Sequence, residues 1–395
     1  MKRRRWSLLA TIAMVGGLIS VAPQASAATT FEIQVGAFVS EVAESMRFFP
    51  REMEVNQGDT LHFTSESFHS ATFMPAGVDP DQWIADNATE FDGPFTPTIA
   101  DPDDGPKAAK FSFAAFLPSD FECGTPETPP CSVDGSEVVN SGLPLGGPFD
   151  FSATIDAPVG SSLNLFCVIH NSMRMTVNVV EGDVQSQEEI DAEKETIIAS
   201  DAALAQKTDK RFLNKHTFTR KNGKRIWDAY PGVDRGQVSL FRMYPLKVNV
   251  RKGDKVKWHF EQLKHETHTV SMPRERARME VGADFVPACD PDGDGGPGPD
   301  VPATPGDPPL GFSCPDGAQP ELERNPKAWL ERGDGKVNGY KDFESSGEIG
   351  LASPAPPAPP LSPYTLKFRQ KSDPGEPFKY LCMIHPFMRG AVKVD

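Results

Sequence analysis

Two stretches of the chain carry the same pattern of alternating hydrophobic and polar residues. Residues 49–59 and 244–254 each contain a Pro followed eight positions later by the Gly of a Gly-Asp pair, with hydrophobic side chains at alternate positions before it. The alternation resumes after the pair, as at Leu61 and Phe63. A period of two is typical of a β-strand with one buried face. Each stretch therefore predicts two strands joined by a turn at Gly-Asp.

The two halves of the chain match again further on, at residues 165–173 and 380–388. Both segments have a Cys, a His three positions later and a Met six positions later. Each is preceded by one predicted strand and followed by another. These strands span residues 149–155 and 176–180 in the first half, and 364–368 and 391–394 in the second. The repeated order predicts a duplicated β domain.

The segments between these patterns have a different composition. Residues 184–211 contain no Pro or Gly and space their large aliphatic side chains as a helix does, which predicts a helical linker. Residues 75–148 and 273–363 hold 30 of the 38 prolines, and we interpret them as loop insertions. The predicted fold class is therefore all-β, with two domains, at residues 28–183 and 212–395, joined by the linker.

Residues 1–27 have the three parts of an export signal: basic residues at positions 2–5, an apolar run over 8–21, and the small residues Ala25-Ser26-Ala27. The apolar run is too short to span a bilayer, and no later segment is as apolar, so we predict no membrane span. We expect a secreted or periplasmic protein.

The charge bears on the partners of the protein, and the cysteines fit an exported protein. The net charge is −15, and residues 28–183 hold 24 acidic and 5 basic side chains, which disfavours nucleic acid as a partner. The acidic half either steers a basic partner or serves solubility. Cys123 and Cys131 lie in one insertion, and Cys289 and Cys314 lie in the other. We predict one disulfide in each insertion.

Cys167 and Cys382 stand apart, because each is placed at a strand end with His and Met close behind. Thiolate, imidazole and thioether together suit copper, and two His, one Cys and a distant Met form a blue-copper site. The missing His is His69 in the first half. In the second half His265 and His268 are both candidates, and we choose His268 because the residues after it parallel those after His69.

On these motifs both halves resemble cupredoxins, and Cys382 to Gly390 is similar to the ligand loop of the amicyanins. The resemblance implies two Greek-key barrels or sandwiches, each holding one type 1 copper ion. Cys would supply the short bond, the two His would complete a trigonal plane and Met would be the weak axial ligand. The implied ligands are His69, Cys167, His170 and Met173 in the first domain, and His268, Cys382, His385 and Met388 in the second.

Three features depart from the family pattern or stay open. Met175 is an alternative to Met173 as the axial ligand. Ser70 and Thr269 stand where many cupredoxins have Asn, which would weaken the hydrogen bond that fixes the ligand loops. The acidic run starting at Asp290 has the spacing of a calcium loop but lacks its closing Glu, so calcium is a second possible cofactor beside copper.

These sites predict an exported electron carrier with two copper centres and a redox protein as its partner. Beyond the predicted ligands only four His remain, with no His-x-His pair, so we expect no enzymatic activity. Two alternatives stay open. One is a protein that sequesters or delivers copper, and the other is a two-domain copper oxidoreductase resembling nitrite reductase.

Overall fold

A computed structural model describes residues 28–80, 110–111, 118–144, 149–280, 285–290, 301–302, 304–305, 312–313, 319–324, 331–347, 349–350 and 362–395. The strands up to residue 180 are β1 (Thr30–Ser40), β2 (Ala43–Phe49), β3 (Glu52–Asn56), β4 (Thr60–Ser65), β5 (Thr72–Phe73), β6 (Lys110–Phe111), β7 (Cys131–Val133), β8 (Val139–Asn140), β9 (Phe149–Ile155), β10 (Ser162–Cys167) and β11 (His170–Val180).

The rest of the described chain contains two helices and nineteen strands. The helices are α1 (Gln187–Leu213) and α2 (Arg274–Glu280). The strands are β12 (Phe218–Lys221), β13 (Lys224–Arg235), β14 (Val238–Tyr244), β15 (Lys247–Val250), β16 (Lys255–Trp258), β17 (Thr267–His268), β18 (Ser271–Met272), β19 (Phe285–Asp290), β20 (Val301–Pro302), β21 (Thr304–Pro305), β22 (Phe312–Ser313), β23 (Gln319–Arg324), β24 (Glu331–Arg332), β25 (Lys336–Val337), β26 (Glu344–Ser346), β27 (Ile349–Gly350), β28 (Tyr364–Phe368), β29 (Phe378–Leu381) and β30 (Arg389–Val394).

The first half, which we call domain 1, is a sandwich of two five-stranded sheets. One sheet has the order β2-β1-β4-β9-β7 and the other has the order β3-β11-β10-β5-β8. Every second side chain of β9 is buried, so one face of that sheet points into the core. Phe63 of the first sheet packs against Phe73 of the second, with ring centroids 5.8 Å apart. The hydrophobic side chains that alternate along the sequence thus pack between the two sheets and form the core.

The second half, domain 2, repeats these strand pairings and adds one strand, β24, to its second sheet. Its sheets have the orders β14-β13-β16-β28-β25 and β15-β30-β29-β18-β26-β24. In both domains the first strand pairs antiparallel with the second and parallel with the fourth. Trp258 and Tyr380 join the two sheets of domain 2, with ring centroids 5.4 Å apart. The predicted fold class, two all-β sandwiches joined by a helix, is confirmed.

The two domains share one continuous sheet. Strand β2 pairs antiparallel with β14 at Ala43↔Leu240, Glu44↔Ser239 and Ser45↔Val238, which joins the first sheets of both domains. Backbone hydrogen bonds therefore fix the orientation of one domain against the other. This pairing was not predicted from the sequence.

Helix α1 covers the junction and is bonded to both domains. Ser186 caps it, since its hydroxyl accepts a hydrogen bond from the backbone N–H of Glu189. Asp201 accepts a hydrogen bond of 2.6 Å from Ser45 in domain 1, and Asp209 accepts one of 2.7 Å from Tyr244 in domain 2. The helix begins three residues later and ends two residues later than the predicted linker. Helix α1 therefore stabilises the contact between the two domains through its hydrogen bonds to both.

The structure tests some of the smaller predictions. Cys123 and Cys131 form the predicted disulfide. Residues 1–27, Cys314 and residues 291–300 lie outside the described residues, so the export signal, the second disulfide and the calcium loop stay predictions. Within the described part of the chain, neither helix combines the length and the apolar composition needed to cross a bilayer.

Candidate metal centres

The first candidate centre lies where β10 ends in domain 1. Cys167 is the last residue of β10, and β5 pairs beside this strand, so His69, three residues before β5, lies next to it. His170 is the first residue of β11. The Nδ1 atoms of His69 and His170 are 3.0 Å apart, and the Sγ atom of Cys167 lies 3.9 Å and 3.5 Å from them. All three side chains are buried.

The second candidate centre repeats this arrangement in domain 2. His268 ends β17, and Cys382 directly follows β29. The Nδ1 atoms of His268 and His385 are 3.1 Å apart, and the Sγ atom of Cys382 lies 3.9 Å and 3.8 Å from them. The structure thus brings together two His and one Cys of each predicted ligand set.

Both groups fit a bound metal ion. The three interatomic distances place a point about 2.0 Å from every donor atom in domain 1 and about 2.1 Å in domain 2, close to bonds of about 2.0–2.3 Å between a first-row metal and imidazole or thiolate. Cys167 and Cys382 are both free of disulfides. Thiolate sulfur with imidazole nitrogen suits copper. The donor sets therefore support a copper protein.

The residues that replace Asn in the family pattern do fix the ligand loops. The hydroxyl of Ser70 accepts a hydrogen bond of 2.9 Å from the backbone N–H of Val168. The hydroxyl of Thr269 accepts one of 2.7 Å from Met383. Each bond joins the segment after the first His to the residue after the Cys. The expected weakening is therefore not seen, because a hydroxyl side chain makes a bond of ordinary length at this position.

The predicted axial methionines are buried in the domain cores. Met388 belongs to the ligand loop, since its backbone N–H donates to His385 and its carbonyl accepts from Cys382, at 2.8 Å and 3.0 Å. Met173 and Met175 are both buried in the core cluster that contains Cys167. The assignment of Met173 and Met388 as ligands stays a prediction.

Domain 1 has a carboxylate next to its first ligand. Oε1 of Glu44, on β2, lies 2.7 Å from Nε2 of His69, on the side of the ring away from the donor cluster. Burial lowers the pKa of His69, but the charge of Glu44 outweighs it and raises that pKa to about 9. Burial also raises the pKa of Cys167, yet His170 and His69 bring it well below its usual value. The surroundings therefore favour the thiolate form of Cys167, which is the form that binds metal ions.

Domain 2 lacks this carboxylate. Ser239 occupies the position on β14 that Glu44 occupies on β2, and among the described residues Nε2 of His268 has no hydrogen-bond partner. Burial and the charge of His385 lower the pKa of His268 to about 3. Burial raises the pKa of Cys382 to about 11. The same three donors therefore lie in unlike electrostatic surroundings in the two domains.

Glu44 and Glu266 also belong to these sites, and neither was predicted from the sequence. Glu266 lies two residues before His268 and contacts the ring of His170 in the other domain. No local pattern marks either glutamate. His265, the alternative ligand, is turned away: its Nε2 donates a hydrogen bond of 2.7 Å to the carbonyl of Gly236, and its Nδ1 contacts a serine of domain 1.

No protein-family model and no curated protein matches the chain. Auracyanin from the photosynthetic bacterium Roseiflexus castenholzii is 17% identical over 39% of this chain and 99% of its own, with a TM-score of 0.21. Plastocyanin from the fern Dryopteris crassirhizoma is 19% identical over 38% of this chain and 98% of its own, with a TM-score of 0.17. The multicopper oxidase mgLAC is 10% identical over 93% of this chain and 87% of its own, with a TM-score of 0.18.

The predicted resemblance to cupredoxins is confirmed, since each half is a β-sandwich with a His–Cys–His group at one end. The expectation that the protein is not an enzyme is wrong. Two of the structures that match over 93% of the chain are multicopper oxidases, which are enzymes.

Proposed function

We propose that the protein carries electrons through two type 1 copper centres, one in each domain. The observation that carries this proposal is the pair of buried His–Cys–His groups, whose ligand atoms all lie within 4.8 Å of one another in each group. Two imidazoles and a thiolate with a distant thioether form the donor set of blue-copper electron-transfer sites.

Two residue sets would hold the ions. Bound copper supplies a one-electron couple, with the thiolate as the strongest donor and the methionine as a weak axial one. The proposed ligands are His69, Cys167, His170 and Met173 in domain 1, and His268, Cys382, His385 and Met388 in domain 2.

Rigid donors suit electron transfer, because any rearrangement between oxidation states adds to the barrier. The sulfur of Cys167 accepts a hydrogen bond of 3.3 Å from the backbone N–H of Ser70, and that of Cys382 accepts one of 3.2 Å from Thr269. These bonds hold each sulfur in place. Bonds to the sulfur and the buried hydrophobic residues around it also set the reduction potential.

We further propose that the protein works outside the cytoplasm with a redox protein as its partner. The signal-like residues 1–27 and the disulfide between Cys123 and Cys131 support this location. The 24 acidic and 5 basic residues of positions 28–183 favour a partner with a basic surface, because opposite charges speed encounter.

The test is an absorption and EPR spectrum of the full chain after loading with copper, together with the number of copper ions bound. We expect two ions per chain and an intense thiolate-to-copper band. The variant carrying both Cys167→Ser and Cys382→Ser is the control and should lack the band. Wild-type protein without the band would overturn the proposal, and rapid loss of Cu(I) to a chelator would favour copper delivery instead.

A further inference from the structure

One carboxylate lies between the ligand histidines of the two domains. Oε1 of Glu266, in domain 2, is 2.9 Å from Nε2 of His170 in domain 1. Its Oε2 is 3.7 Å from Nε2 of His385 in its own domain. Both rings point their Nδ1 atoms into the metal groups, so Nε2 is the outer atom of each. Glu266 therefore links the outer edges of the two centres.

The residues before and after Glu266 in the sequence are both held by backbone hydrogen bonds or strand pairing. The backbone N–H of His265 donates a hydrogen bond of 2.8 Å to Asp234, and Thr267 pairs with Gly350 in the short sheet of β17 and β27. Glu266 itself is only 7% exposed. A buried carboxylate is costly unless hydrogen-bonded, and here two imidazole N–H groups face it. Glu266 is thus an ordered, buried residue of the interface between the domains.

The two centres differ in the carboxylates that face their histidines. In domain 1 each ligand imidazole has a carboxylate within hydrogen-bond distance, since Glu44 lies 2.7 Å from His69 and Glu266 lies 2.9 Å from His170. In domain 2 the contact to His385 is longer, and within the described residues Nε2 of His268 is unpaired. A carboxylate on the outer nitrogen makes the imidazole a stronger donor, which stabilises the more highly charged ion.

We propose that Glu266 couples the two centres and that electrons pass from domain 1 to domain 2 along His170, Glu266 and His385. This inference rests on the proposed function. In the step, Cu(I) of domain 1 is oxidised to Cu(II) and Cu(II) of domain 2 is reduced to Cu(I). One electron moves, no bond is formed or broken, and the carboxylate keeps its hydrogen bond to His170 and its charge contact with His385 before and after. Glu266 is a positioning residue in this scheme.

The test uses the full-length protein loaded with copper. The variants are Glu266→Ala, which removes the bridge, and Glu266→Gln, which keeps its volume but leaves one oxygen to accept a bond. The matched control is Glu261→Gln. Glu261 lies on the same segment with its carboxylate 3.0 Å from Nδ1 of His259, which is not a predicted ligand. The measurements are the rate of internal electron transfer after a one-electron pulse and the reduction potential of each centre.

We expect Glu266→Ala to slow electron transfer between the centres about tenfold. The same variant should raise the reduction potential of the domain 1 centre by about 59 mV, which corresponds to a tenfold shift of its equilibrium toward Cu(I). Glu266→Gln should show the same changes to a smaller extent, and Glu261→Gln should show none. Proton exchange at Nε2 of His170 and His385, measured by NMR in the Cu(I) state, should be slow in the wild type and faster in the Ala variant.

The outcomes separate this inference from the proposed function. Two normal centres with unchanged rate and potentials in both Glu266 variants would overturn the bridge alone. A wild-type domain 2 centre with the lower potential would overturn the direction of transfer. Absence of two thiolate-bound copper ions in the wild type would overturn the proposed function itself. If Glu266→Ala does not fold, Glu266→Gln decides the result.

Discussion

The first strand of each domain passes so close to a ligand histidine that a side chain would collide with it. Gly232, on β13, has a φ of +81°, and a Cβ there would lie 2.3 Å from Nε2 of His268. Gly36, on β1, has a φ of +69° and would place its Cβ 2.4 Å from Nε2 of His69. We therefore predict that Gly232→Ala damages the domain 2 centre.

The size of the effect follows from the contact. Non-bonded heavy atoms pack about 3.5–4.0 Å apart, so the ring of His268 has to move by about 1.2–1.7 Å to admit the methyl group. Metal and catalytic groups tolerate displacements of only about 0.5 Å. The left-handed backbone adds a destabilisation of about 1–2 kcal/mol in the variant. We expect copper at the domain 2 centre to be lost and the domain 1 centre to remain.

Gly375→Ala separates the collision from the backbone effect. Gly375, also in domain 2, has a φ of +80°, and a Cβ there meets nothing within 4 Å. Both variants should lose stability to urea as metal-free proteins, Gly232→Ala at least as much as Gly375→Ala, but only Gly232→Ala should bind one copper ion in place of two. Metal analysis and the intensity of the thiolate band measure this. Two ions and a wild-type spectrum in Gly232→Ala would refute the reasoning.

Three further predictions concern single side chains. Replacing Cys382 by Ser should remove one copper centre and spare the other, and loss of both in metal analysis would show that the centres depend on each other. Glu44→Gln removes the charge beside His69, which weakens His69 as a donor to Cu(II). Spectroelectrochemistry should therefore find the reduction potential of the domain 1 centre raised by about 59 mV, a tenfold shift of its equilibrium toward Cu(I), and an unchanged or lower potential would contradict this. Burial lowers the pKa of His62, but hydrogen bonds to Asp150 and Glu32 outweigh it and raise that pKa. Charged His62 therefore adds stability below about pH 6.5 that is lost as pH rises through its folded pKa. Thermal unfolding should show the advantage of wild type over Asp150→Asn shrinking as pH rises, and a constant difference would count against it.

The ligand loops could be predicted because short spacings fix their geometry. Cys167 and His170 are three residues apart at the junction of paired strands, so folding of the hairpin alone brings them together. His69 was predicted from its place just after the first pair of predicted strands, and His268 from the matching pattern in the second half. In each case the signal was local or repeated.

The glutamates of the sites could not be predicted in this way. The chain has 55 Asp and Glu residues, so a carboxylate near a ligand in sequence carries no information. Glu44 faces His69 because β2 passes beside β1 in the sandwich. Glu266 faces His170 only because the two domains are docked. Neither relation depends on spacing along the chain.

The sequence by itself determined two β domains, the helix between them and the order of the sulfur and imidazole donors. Alternation and short spacings act over a few residues, where backbone geometry leaves few choices. Only the tertiary structure decided how the domains meet, through the pairing of β2 with β14 and the bonds of α1 to both sides. That docking depends on the shape and charge of surfaces far apart in the chain. Together with the exchange of Glu44 for Ser239 within the domains, it gives two equal donor sets unequal surroundings.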